Sequence, residues 1–109
     1  MRTAIISQPM NGISPDTVAH ARAQAERDLA AQGYTPHDSV YNTDFDHAAS
    51  APEGIPNPAA WHIGAAIQRL AAANALYLAP GWETARGCRI ERAVAEAYGI
   101  PVILGEKQQ

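Results

Sequence analysis

The sequence predicts a small α/β domain built on a doubly wound (flavodoxin/Rossmann-like) parallel sheet of four to five strands flanked by helices. Three observations predict it. Short, almost wholly apolar runs recur at residues 3–8, 75–81 and 100–105, as expected for strands buried on both faces of a parallel sheet. Ala-rich segments with helical periodicity separate them, and Pro, Gly or Asn marks most junctions. With 109 residues the chain has room for one modest core, so residues 1–109 are expected to form a single domain.

The first strand is "TAIISQ", residues 3–8, broken by "PMNG". Ser14 or Asp16 can cap a helix that starts near Pro15, where proline is tolerated in the first turn, and the helix runs to a stop at Gly33. "YTPHDSV", residues 34–40, is a short second strand that Pro36 confines to an edge or trims. Residues 41–57 carry Asp, Gly, Pro and Ser without periodicity, and a loop of that length in a small domain is the candidate lid. A second helix begins near Pro58 and a buried strand follows at "ALYLAPG". Thr84 to Tyr98 forms a third helix that ends before Gly99, and "IPVILG" is the last strand.

Composition narrows the function. No apolar run approaches the roughly 20 residues that span a bilayer, and the first residues lack the length and cleavage site of a secretory signal. A net charge of −3, with arginines scattered over helices, argues against a nucleic-acid polymer as partner. One cysteine, Cys88, allows no internal disulfide, and four dispersed histidines give no zinc spacing; a reducing, cytoplasmic location without metal or cofactor is expected.

Ligands of parallel α/β sheets bind beyond the carboxyl ends of the strands. Two segments lie there: "SQPMNG" after the first strand and "PGWETARG" after the third. Ser7, Gln8 and Asn11 supply polar groups and Met10 an apolar platform for a planar ligand, although the same residues suit an ordinary strand-to-helix turn. Thr84 is the expected N-cap, and with Arg86 and free N–H groups it could hold a phosphate or carboxylate, although most capping threonines only cap. Gly87, costly in a first helical turn, marks either a close-approaching ligand or tight packing on a strand. Trp82 is read as a pocket wall and Trp61 as a core anchor. Asp44, Asp46 and His47 are candidate ligands or acids in the long loop, where a merely solvated loop is the commoner outcome.

Glu91 is the most pointed feature. At about 100° per residue, Cys88, Val94, Ala95 and Tyr98 project within roughly 60° of it, while Arg86, Arg89, Arg92 and Glu96 fall on the opposite side. A carboxylate on an apolar face either pairs with a buried cation, such as Arg69 from another helix, or is a functional group held there against its desolvation cost. It lies about 10 Å along the helix from Thr84, within reach of the crevice. Cys88 beside it is disfavoured as a thiolate and is not read as a nucleophile.

The order "IISQPMNG", then "ALYLAPGWETARGCRIERAVAEAYGIPVIL", resembles the nucleoside 2-deoxyribosyltransferase-like superfamily, above all its small, mostly uncharacterised bacterial and phage branch with a Gly-Trp-Glu turn. The resemblance covers both ends of the chain and rests on Gly87, Glu91 and Ala95 at the family's four-residue spacing, followed by Gly99 to Val102. It implies that Glu91 is a nucleophile that attacks C1′ of a deoxyribose, giving a glycosyl ester resolved by a second base or by water. It implies a nucleoside or nucleotide as ligand, no cofactor, and a homodimer or higher oligomer whose neighbouring subunit completes the pocket. Substrate contacts would come from Ser7, Gln8, Pro9, Met10, Gly81, Trp82, Thr84, Arg86 and Gly87. Two departures stand out. Ala85 occupies the position of the family's acid, leaving Glu83 as the substitute, and Gln8 stands where the family has glycine before Pro9. The alternative function is a non-catalytic nucleotide-binding module on the same fold.

Overall fold

The computed structural model of the chain describes residues 2–10, 12–36 and 51–105. Within them lie four strands, β1 (Arg2–Ser7), β2 (Tyr34–Pro36), β3 (Ala75–Leu78) and β4 (Val102–Leu104), and three α-helices, α1 (Pro15–Ala31), α2 (Pro58–Ala71) and α3 (Arg86–Ala97). The strands form one sheet in the order β2-β1-β3-β4, with every pairing parallel. This is the doubly wound α/β sheet that the alternation of apolar runs and helices predicts, at the lower strand number.

Strand alternation sorts the core into two layers. Ala4 and Ile6 of β1 and Ala75, Tyr77 and Ala79 at β3 face α1, where Ala25 and Leu29 meet them. Ile5, Leu76 and Leu78 face the other way, onto Leu70 of α2 and Cys88 and Ala95 of α3. Residues of β1 and β3 are therefore buried on both faces, which explains their continuous apolar runs.

Ser14 caps α1, its hydroxyl accepting from Thr17 N at 3.2 Å, with Pro15 in the first turn. The helix stops before Gly33, whose φ of +82° falls in the left-handed region. β2 is three residues long and lies at the sheet edge, where Pro36 has no ladder to interrupt beyond it. Asn57 caps α2 by accepting from Ala60 N. Residues 51–57 before it contain turns and no strand or helix. The rest of the expected lid, with Asp44, Asp46 and His47, lies outside the described residues, as does Asn11.

Three expectations need correction. Thr84 to Tyr98 is not one helix: a 3-10 turn spans Trp82–Thr84, Ala85 is extended at φ −101° and ψ 120°, and α3 begins at Arg86. Tyr98 is 80% exposed, because α3 ends at Ala97 and the backbone has left helical geometry by then. Trp61 is 39% exposed and packs edge-on against His62 rather than anchoring the core. The buried side of α2 is that of Ile67 and Leu70, roughly 180–240° around the helix from Trp61.

Candidate functional site

From β1 the chain crosses to β2 on one side of it and later returns to β3 on the other. A switch of direction of this kind leaves a crevice between the carboxyl ends of the two central strands. The two predicted segments meet there: Ser7 O accepts from Ala79 N at 2.9 Å, extending the β1–β3 ladder into the loops. Beyond it, the two loops touch: a Cβ on Gly81 would stand 3.4 Å from Pro9 Cγ, at the edge of ordinary contact.

Helical periodicity delivers Glu91 to the same place. It is 4% exposed on the inner face of α3 with Cys88 and Ala95. Ser7, the last residue of β1, shares the face of Ile5, so its side chain points at α3 and its Oγ donates to Glu91 Oε1 at 2.7 Å. Glu91 Oε2 is buried without a hydrogen-bond partner among the described residues. Burial raises the Glu91 pKa above the ordinary carboxylate value of 4.5, with the Ser7 hydrogen bond and the Arg69 charge pulling the other way. The Cys88 thiol is likewise pushed up, first by burial and also by the Glu91 charge, with the Ser7 hydroxyl in hydrogen-bonding reach lowering it. Three polar groups thus meet inside an apolar layer where the sheet opens.

The other predicted residues are distributed around this cluster. Gln8 is buried but turned to the opposite face, its Nε2 donating to Val18 O of α1 at 3.1 Å while Oε1 has no partner among the described residues. Met10 and Pro9 are half-buried, and Met10 O accepts from Ile13 N. Trp82 is half-buried against the α2–α3 layer, with the Arg92 guanidinium 4.7 Å from its ring centroid. Arg92 also pairs with Glu96 at 3.2 Å. Thr84 is exposed and does not cap α3; its hydroxyl donates to Gly81 O, tying the 3-10 turn to itself, and Ala85 is the N-cap with no side chain to offer. Arg86 is exposed at the start of α3. Glu83 is exposed in the 3-10 turn, its carbonyl accepting from Arg89 Nη1 at 3.3 Å, and among the described residues no hydrogen bond links it to Glu91.

Gly87 resolves one of the open choices. A Cβ there would meet Ile63 Cδ1 at 3.7 Å, an ordinary contact, so tight packing does not require glycine. Gly87→Ala is expected to raise stability by about 0.5–1 kcal/mol, the helix-propensity difference, seen as a thermal midpoint a few degrees higher. A lower midpoint would mean that the first turn of α3 is packed more tightly than this contact indicates.

Sequence reasoning missed Ser7 as the partner of Glu91, although the alternation that buries Ile5 toward α3 places Ser7 on that face too. It also missed Arg22, which is 5% exposed on the buried side of α1 with Ala25 and Leu29, and Tyr77, whose hydroxyl donates to Asp28 Oδ2 at 2.5 Å. Among the described residues no group of three His, Cys, Asp or Glu is placed to hold a metal ion, and no helix is long and apolar enough to cross a membrane.

No curated protein and no solved structure matches this chain. A family model does, over residues 3–104, from the second residue of β1 to the last residue of β4. The matched span holds all of the sheet but Arg2, together with Ser7, Cys88 and Glu91. The chain therefore belongs to the family described as Domain of unknown function (DUF4406).

Proposed function

We propose that the protein cleaves or transfers at the N-glycosidic bond of a nucleoside or nucleotide, with Glu91 as nucleophile. The observation that carries this reading is a carboxylate 4% exposed at the crevice between β1 and β3, with one oxygen held by Ser7 and the other unpartnered. Desolvation makes a carboxylate a better nucleophile, and an orphaned buried oxygen is costly unless something uses it. In the reaction a lone pair of Glu91 Oε2 forms a bond to C1′ of the sugar. The C1′–N bond breaks and its electron pair leaves with the base, which takes a proton. Water or a second base then displaces the carboxylate. The resemblance to the nucleoside 2-deoxyribosyltransferases supports the same assignment, with Glu83 as the proton donor and a reducing, cytoplasmic setting. Assembly as a homodimer or higher oligomer belongs to the same reading and would bring a neighbouring subunit to the crevice.

Ala85 and the exposure of Glu83 favour a second reading, a nucleotide-binding module without turnover. Incubation with a panel of deoxynucleosides and their monophosphates, with and without an acceptor base, decides between them. Base exchange that requires the acceptor identifies a transferase, and base release into water an N-glycosidase. Binding by calorimetry with no turnover across the panel leaves the module.

A further inference from the structure

The crevice carries an arrangement that the nucleophile reading does not itself require. Ser7 is 1% exposed at the end of β1, in register with Leu78, and its carbonyl is held by Ala79 N, so its side chain has little freedom. Its hydroxyl has one proton and two lone pairs. That proton goes to Glu91 Oε1 at 2.7 Å.

We propose that Ser7 is a positioning residue for Glu91: its hydroxyl, donated to Glu91 Oε1, ties down one carboxylate oxygen, favours the ionised form, and leaves Oε2 as the reactive one. This rests on the reading of Glu91 as nucleophile, and it reassigns Ser7 from the substrate to the carboxylate. The 2.7 Å bond fixes one carboxylate oxygen, while Oε2, buried and without a hydrogen-bond partner among the described residues, is left over for chemistry. A hydrogen bond to the charged form opposes the desolvation that would otherwise keep Glu91 neutral. The groups facing Glu91 are then Ser7 from β1, which donates to it, Cys88 from its own helix and Arg69 from α2, whose charge also favours the ionised form.

The test is the titration of Glu91 followed by carbon NMR of glutamate side chains labelled at the carboxyl, with Glu91→Gln to assign the resonance. Ser7→Ala is expected to move the Glu91 midpoint up by about one pH unit, since a hydrogen bond to a charged group is worth about tenfold or more. Ser7→Thr, which keeps the hydroxyl on a residue that strands accept, is expected to return it to the wild-type position. Where Ser7→Ala does not fold, Ser7→Cys, whose thiol is a weaker donor, is read instead and should move the midpoint the same way by less. A midpoint that stays at the wild-type position when the Ser7 hydroxyl is removed would overturn the proposal. The same samples are assayed for base release, in which the acid limb of the pH profile should follow the NMR midpoint. A shifted midpoint with no turnover in the wild type would sink the reaction and leave the role of Ser7 standing.

Discussion

Glu91→Gln is expected to end turnover and, at neutral pH, to make the protein more stable. The direction follows from the balance of forces on the carboxylate. Burial is the largest influence on it and outweighs both the Ser7 hydrogen bond and the Arg69 charge, so the folded state holds Glu91 above its ordinary pKa of 4.5. An acid whose folded pKa is raised contributes stability at low pH. That stability is lost as pH climbs from about 4.5, where the unfolded chain ionises, through the higher folded value. At neutral pH the wild type therefore carries the cost of a buried charge, and a neutral isostere that can still accept from Ser7 removes it. The gain should be about 1 kcal/mol, typical of relieving a functional residue, or roughly 4–8 °C in thermal midpoint for a domain near this size. Below pH 4 the two proteins should melt together. Activity should fall by at least about a thousandfold, because an amide cannot form the glycosyl ester. A Glu91→Gln protein that melts well below wild type at pH 7 would instead make Glu91 the structural partner of Arg69.

The fold was legible where burial on both faces wrote itself into the sequence. β1 and β3 are apolar at consecutive positions because Ala4 and Ile6 pack on α1 while Ile5 packs on α2 and α3. The placement of Glu91 was legible for the related reason that a helix face is a periodic object. Arg22 carried the same signal on α1, three residues before Ala25 and seven before Leu29, but an Ala-rich helix has too faint an apolar stripe to make a charge on it conspicuous. The break at Ala85 was not legible. Thr84 is a good cap by type, yet its hydroxyl finds Gly81 O first, and competition of that kind between local backbone acceptors depends on loop geometry rather than on residue identity. The contact between Ser7 and Glu91 spans 84 positions. Each residue's face could be inferred separately, but the closeness of the end of β1 to the middle of α3 follows from the order β2-β1-β3-β4, which no local pattern encodes.

That same order makes Gly81 the position where a small change should do the most damage to the crevice. Its φ of +90° and ψ of 0° let the chain turn from β3 into the 3-10 segment, and its carbonyl accepts from both Thr84 N and the Thr84 hydroxyl. An L-residue in left-handed geometry costs about 1–2 kcal/mol, and β-branching adds to it. The Cβ itself would lie 3.4 Å from Pro9 Cγ, at the edge of ordinary contact, and the γ-methyls of valine would add bulk beside it. Gly81→Val is therefore expected to destabilise by roughly 2–4 kcal/mol, lowering the thermal midpoint by about 10 °C or more. Gly81→Ala, without the branch, should cost about half as much. Pro9 follows Ser7 by two residues, so a shift of the turn against Pro9 would be felt in the first loop. With a nucleotide as the proposed ligand, any variant that folds should show weakened binding of it in calorimetry, even though Ser7 and Glu91 are untouched. A Gly81→Val protein with wild-type melting and binding would mean that the turn after β3 does not hold the first loop in place, and that the crevice is formed by the strands alone.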